Sequence, residues 1–217
     1  MTSTLAMFPL ELVVFPGEQL ALHIFEDRYQ QLIHDCEHEQ ITFGIPAYIN
    51  KKMLYGTEVS LVSVEKRYDT GACDIICQGE KVFRIQSFFN QWGEKLYAGA
   101  EISFMTDIQN GSYGQKEQFL GLVFELYDAL DVNLPKIDPR AIDSFIVAHK
   151  IGLSLEQELQ LLKIPSEKDR FDFLIEHLKE TIPVVRKINR TKELIKLNGH
   201  FKNFDPLDFE EYTLGDL

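Results

Sequence analysis

The chain has no apolar run approaching the roughly 20 residues that a bilayer-spanning helix needs. Its opening, Met1-Thr2-Ser3-Thr4, also lacks the basic residues that begin a secretory signal. The reading from both is a cytoplasmic protein with no membrane partner. Basic residues are few: 22 lysines and arginines stand against 34 aspartates and glutamates, a formal charge of -12. Binding a polyanion needs a local cationic surface that such a field opposes, so nucleic acid is not expected as a partner. Cysteine is scarce as well, three residues and an odd number, which fits free thiols better than a disulfide framework. No G-x-x-x-x-G-K-S/T string is present to cradle phosphates, and no G-x-S-x-G elbow or family-specific catalytic cysteine occurs. The expectation is a protein that is not an enzyme and uses no cofactor. No internal repeat of solenoid length is present.

What remains is ordinary globular composition, 45% hydrophobic and 26% charged, enough for a real core. The chain divides by period. Up to about Met105, short apolar runs broken by glycine and aspartate predict strands at about 7–15, 20–25, 41–49, 56–66, 72–78, 81–89 and 95–105. One helix over Asp27–Glu39 is inserted among them, with Tyr29, Leu32 and Ile33 on its apolar stripe. Leu96, Ala98, Ala100, Ile102 and Phe104 alternate cleanly, as on a half-buried strand. Together these strands predict a small closed or nearly closed antiparallel barrel, and full closure would remove exposed edges.

Asp107–Gly114 reads as a polar hinge, and helices follow it. Phe119, Leu122, Val123, Leu126 and Leu130 share one face, leaving Lys116, Glu117, Glu125 and Asp128 to solvent. Ser154 with Gln157 forms a capping-box signal, and Ser166 before Glu167-Lys168-Asp169 marks another start. Pro183 is expected to kink or break the last helix. The expected fold class is α+β: a barrel subdomain over 1–107, a hinge over 108–115, a helical bundle over 116–198 and an acidic-aromatic tail over 199–217.

The most distinctive stretch is Phe8-Pro9-Leu10 through Val13-Val14-Phe15-Pro16-Gly17 to Leu22-His23-Ile24-Phe25-Glu26-Asp27-Arg28-Tyr29. It is an apolar strand stopped by Pro16-Gly17, a second short strand and a helix start. It resembles the start of the Lon N-terminal domain, the substrate-binding domain of Lon-type ATP-dependent proteases. The resemblance continues through Thr42-Phe43-Gly44-Ile45, Gly56-Thr57-Glu58-Val59, Gly79 to Ile85, Asp143 to Ala148, Leu155 to Leu162 and Asp169-Arg170-Phe171, covering roughly residues 5–180. It implies a PUA-like barrel joined to helices. The family's nucleotide-binding loop and its serine-lysine proteolytic domain have no counterpart here, so the chain resembles the substrate-binding domain standing alone.

The implied function is a non-catalytic module that captures exposed apolar or extended polypeptide segments in a groove between barrel and helices, with a protease or another protein as the further partner to look for. Within the motif, Phe15, Pro16, Phe25 and Tyr29 are the side chains expected to give a surface its affinity. His23 and Arg28 have plainer roles, His23 satisfying a backbone group and Arg28 pairing with Glu26 or with a barrel carboxylate. The alternative is an adaptor that binds one folded partner, through the tail containing Phe201, Phe204, Phe209 and Tyr212. His34 and His38, one turn apart in His34-Asp35-Cys36-Glu37-His38, have a metal-compatible spacing but no third ligand, and read as a solvated helix face. Cys73 and Cys77, on the same side of a strand as Ile75, read as buried thiols.

Overall fold

The computed structural model describes the backbone of residues 2–200 and the side chains of residues 2–195. The first half comprises β1 (Thr2–Met7), β2 (Gln19–Ile24), α1 (Asp27–Glu39), β3 (Phe43–Pro46), β4 (Tyr55–Arg67), β5 (Cys73–Phe89) and β6 (Ala98–Phe104). The second half comprises α2 (Tyr113–Ala129), two single 3-10 turns at Pro139–Ala141 and Ala148–Lys150, α3 (Leu155–Leu162) and α4 (Glu167–His200). The mixed α+β architecture is the one the periods predict.

The strands form one 6-stranded sheet in the order β2-β5-β4-β3-β1-β6, and β5 also pairs with β6. The two strands expected at 72–78 and 81–89 are a single 17-residue strand. Gly79 sits at its middle. Residues before it pair with β2 and β4, and residues after it pair with β4 and β6.

Two expectations are corrected. The sheet is not wholly antiparallel, because β1 and β3 run parallel through Ala6–Phe43 and Met7–Gly44. One edge remains, as a nearly closed barrel allows: among the described residues β2 pairs only with β5. The strand expected at 7–15 is displaced, since β1 ends at Met7 and only the bridge Leu10–Ala47 continues the pairing. Pro9 and Pro16 have no N–H to extend a ladder.

Three cores organise the interior. Leu5, Met7, Phe83, Ile85, Ala100 and Ile102 fill the space between β1, β5 and β6. Tyr29, Leu32, Ile33 and Cys36 of α1 pack on Val59, Cys73, Ile75 and Cys77. Burial pushes the thiols of Cys36 and Cys77 up to about 12, so neither is a nucleophile near neutral pH. The third core joins the halves: Val13, Phe15, Ala47 and Ile49 lie with Phe119, Val123, Phe171, Leu174 and Leu178 of the helices.

The stretch read as a hinge is fastened on both sides. The N–H of Met105 donates to the carbonyl of Val82 (2.8 Å), that of Ile108 to Pro165 (2.9 Å), and that of Glu167 to Ile108 (2.9 Å). Ser112 and Gln115 make a reciprocal capping box, so α2 starts inside the segment expected to be irregular. On α2, Leu130 is exposed rather than buried, and Lys116 turns inward to donate to the carbonyl of Ile142 (2.9 Å). Helix α4 runs unbroken through Pro183. The carbonyl that Pro183 leaves without a donor belongs to Lys179, an exposed residue on the helix surface. The acidic-aromatic tail lies outside the described residues.

Candidate functional site

Residues 13–18 cross the junction between sheet and helices. In extended chain, neighbouring side chains point to opposite faces. Val13 and Phe15 therefore enter the helical core while Val14 enters the core beneath α1. Pro16-Gly17 then turns the chain, with Gly17 at φ 82°, a left-handed conformation that side chains with a Cβ adopt at a cost. The turn is tied to β5 by Gly17 N–H donating to Gly79 (2.9 Å) and Gly79 N–H donating to Glu18 (2.8 Å).

Pro16 is left half-exposed between two open clefts, one on each side. The first, of about 350 Å³, lies between Lys81 and Val82 of β5, Met105 to Asp107, and the Ile164-Pro165 connection before α4. The second, of about 380 Å³, lies between Gly17 to Gln19 and the loop Asp143 to Lys150, where Ile146 is 57% exposed. Both clefts share Pro16 and Phe145, so together they form a groove where the halves meet.

The floor of this groove is held by two polar devices. Arg170 is 2% exposed. Its guanidinium donates to Ser144 Oγ (2.6 Å), to the carbonyls of Ile164 (3.0 Å) and Pro165 (3.2 Å), and to Asp107 Oδ1 (2.8 Å). It also lies 4.5 Å over the ring of Phe145. The second device is His149, with Nε2 3.1 Å from Glu18 Oε2 and Nδ1 2.8 Å from Glu158 Oε1. These two carboxylates, Glu18 foremost, raise its pKa to about 9. Burial pushes the Glu18 carboxyl up, but His149 and the Phe15 N–H outweigh it and hold the group below its ordinary value.

A pH dependence follows from His149. Its folded-state pKa lies above the unfolded value, so the stability it contributes is full below about pH 6.5 and is lost as pH rises through about 9. With a third of the side chain exposed, screening limits the effect to about 1 kcal/mol. Urea midpoints measured from pH 6 to 9.5 are expected to show His149→Gln destabilised at the acid end, the gap to the parent protein narrowing by pH 9.5. A gap that stays constant across that range would refute the charged latch.

The residues expected to form a binding surface are distributed differently. Phe15 is 1% exposed, stacked on Phe145 at 5.1 Å, and Tyr29 is 6% exposed, stacked on Phe8 at 3.9 Å. Both rings complete cores, Phe15 facing the helical half and Tyr29 facing the sheet from α1, and neither reaches solvent as a contact. Pro16 lines the groove. Phe25 is 66% exposed, but it lies at the end of β2, beside His23 at 6.1 Å between centroids. His23 is bonded to Asp74 Oδ1 (2.6 Å) rather than to a backbone group, and Arg28 pairs with Glu26 (2.7 Å) as expected. His34 and His38 stack on each other at 4.0 Å. Among the described residues no group of three His, Cys, Asp or Glu side chains is arranged to hold a metal ion, and no helix is long and apolar enough to cross a membrane.

Reading the sequence did not single out Asp107, Lys81, Ile146, His149 or Arg170 as site residues. The nearest signal was a polar, glycine-bearing segment followed at a distance by Asp143 to Ala148 and Asp169-Arg170-Phe171, none of which announces a shared groove.

Comparison with known proteins places this architecture. Two solved structures are similar: the Lon N-terminal domain protein from Xanthomonas campestris, at 22% identity and a TM-score of 0.60, covering 80% of this chain and 98% of that one; and the N-terminal domain of the Mycobacterium avium complex Lon protease, at 14% identity and a TM-score of 0.62, covering 82% of this chain and 98% of that one. At those identities the likeness is one of fold. No curated relative matches. A family model, the ATP-dependent protease La (LON) substrate-binding domain, matches residues 4–180, which takes in the sheet, the groove and the first part of α4, and the chain therefore belongs to the LON substrate-binding domain family.

Proposed function

We propose that the protein is a non-catalytic polypeptide-binding module that captures exposed apolar or extended segments of other chains in the groove on either side of Pro16. The observation that carries this reading is the groove itself. It is open and largely apolar in its lining, and it is built where two halves of a substrate-recognition fold meet. The pairing of β5 with β6 supports reading the sheet as a small PUA-like barrel with β2 added outside it.

A second mode has its own support. Among the described residues strand β2 has a free edge beside the exposed Phe25, and an extended client could add to it by backbone hydrogen bonds, with an apolar side chain on Phe25. In either mode the net charge of -12 biases capture toward neutral or basic clients.

The test is fluorescence anisotropy with a labelled, permanently unfolded polypeptide and its folded counterpart. Saturable binding of the unfolded form alone is expected, weakened at least fivefold by Ile146→Glu, a change at an exposed position that leaves the core intact. If Phe25→Ser weakens binding and Ile146→Glu does not, the β2 edge is the site. No binding of the unfolded form at roughly 100 µM, or equal binding of both forms, overturns polypeptide capture and favours an adaptor for one folded partner, with a separate protease the first to try.

A further inference from the structure

The β3–β4 connection and α3 enclose another cleft, of about 310 Å³, which shares no lining residue with the groove beside Pro16. Its floor is apolar: Ile49, Leu54, Tyr55 and Leu159 line it, and Leu54 is 51% exposed. The volume is at the small end of ligand sites, room for a side chain or a pair of them rather than for a folded surface.

The cleft is preformed. Asn50 (φ 51°) and Lys51 (φ 60°) are both left-handed, the conformation of a two-residue hairpin turn. The N–H groups of Ile49 and Lys52 donate to each other's carbonyls, both at 2.9 Å. The N–H of Ala47 donates to the carbonyl of Tyr55 (3.0 Å) and that of Ile85 to Leu54 (2.8 Å), which fastens the hairpin to the sheet.

Its rim is cationic in a protein of formal charge -12. Lys52 and Lys163 line it, and the Lys163 ammonium lies 5.8 Å from the centre of the Tyr55 ring. Arg84 stands directly opposite Tyr55 in the β4–β5 pair, on the same face of the sheet. Among the described residues none of these three cations is in an ion pair, whereas Arg28, Arg67, Lys95, Lys116, Arg170 and Arg186 all are. The lone acid of the lining, Glu156, accepts from Asn50 Nδ2 (3.4 Å). Unpaired cations around an apolar floor match one chemistry, an apolar side chain with carboxylates beside it. Nucleic acid fits less well, because a long polyanion would run beyond these charges into the opposing field of the whole molecule, while a short acidic segment stays within them.

We infer that this cleft is a second binding site, for an acidic segment of another polypeptide. An apolar side chain of that segment seats on Ile49, Leu54 and Leu159, and its carboxylates meet Lys52, Arg84 and Lys163. The charge preference is opposite to that of the groove, and the inference does not depend on polypeptide capture there.

The test is fluorescence anisotropy on the full chain with a short labelled peptide in which a leucine pair is flanked by glutamates. Matched peptides carry lysines in place of the glutamates, or serines in place of the leucines. Saturable binding of the first is expected below roughly 100 µM, with both controls about tenfold weaker. Lys52→Glu with Lys163→Glu should weaken it about tenfold, and Glu156→Gln should strengthen it about twofold. Arg84→Glu, at an exposed strand position, should weaken it about threefold, so the test stands even if the Lys163 variant fails to fold. Ile146→Glu, in the groove, should leave it unchanged. No binding at that concentration, binding that survives the charge reversals, or equal binding of the lysine peptide overturns the inference. Loss on Ile146→Glu instead sends the peptide to the groove and overturns it too, as does self-association in sedimentation that the same reversals abolish, which assigns the cleft to a second copy.

Discussion

Arg170→Met is expected to cost about 3 kcal/mol, a fall in Tm of roughly 6–12 °C for a chain of this size. Methionine fills much of the volume and keeps contact with Phe145, so the loss reports hydrogen bonds rather than a cavity. Four acceptors lose their donor together: the fully buried Ser144, the carbonyls of Ile164 and Pro165, and Asp107. Arg170→Lys is expected to recover less than half, since one ammonium cannot hold acceptors that lie in the plane of a guanidinium fork. Because Ile164, Pro165 and Asp107 line one wall of the groove, binding of the unfolded polypeptide should weaken along with stability. Scanning calorimetry of both variants decides it, and a Tm within 2 °C of the parent for Arg170→Met would show that the side chain is merely accommodated.

Gly79→Ala is expected to be comparably damaging, about 3 kcal/mol. A Cβ at this position would overlap the carbonyl oxygen of Phe15 and stand 3.1 Å from its carbon and 3.3 Å from Val14 Cγ1. Neither neighbour can give way: Phe15 is locked between Phe145 and His149, and the carbonyl of Val14 accepts from the buried Thr57 hydroxyl. The strain would fall on the Gly17–Gly79 and Gly79–Glu18 hydrogen bonds that hold the turn. Gly121→Ala is the matched control. That glycine faces open space on α2, and alanine there should stabilise by about 0.5–1 kcal/mol. Urea unfolding of the pair is expected to give shifts of opposite sign, and like signs would mean that backbone freedom rather than the Phe15 contact governs position 79.

Much of the fold was legible because its signals are local. The Ser112–Gln115 and Ser154–Gln157 boxes, the acidic start of α1 and the buried set Cys73, Ile75 and Cys77 each depend on residues a few positions apart. The parallel β1–β3 pair was not legible, since nothing in either segment states the direction of its partner. Nor was the fusion of two expected strands at Gly79, which reads as a turn signal until the close passage of Phe15 explains it. The groove was legible only at Pro16. Phe15 and Tyr29 look like surface aromatics in a motif, but a ring that stacks on Phe145, 130 positions later, carries no local mark of burial. Arg170 and His149 were missed for the same reason: their partners are Asp107 and Glu18, |i−j| of 63 and 131.

The alternation at Val13, Val14 and Phe15 bears on how the molecule is made. Val13 and Phe15 enter a core whose helical members, from Phe119 to Ile182, follow them at long separation in the chain. Until those arrive, Val13 and Phe15 have no interior to enter, and the Glu18–His149 contact cannot form. Contacts of such separation slow folding, because a long loop must close before anything rewards the closure. The strands can pair early, but the Pro16 turn is set only when the helices dock. The groove beside Pro16 should therefore take shape only once the helical half has docked on the sheet, and sheet and helices should unfold in one transition.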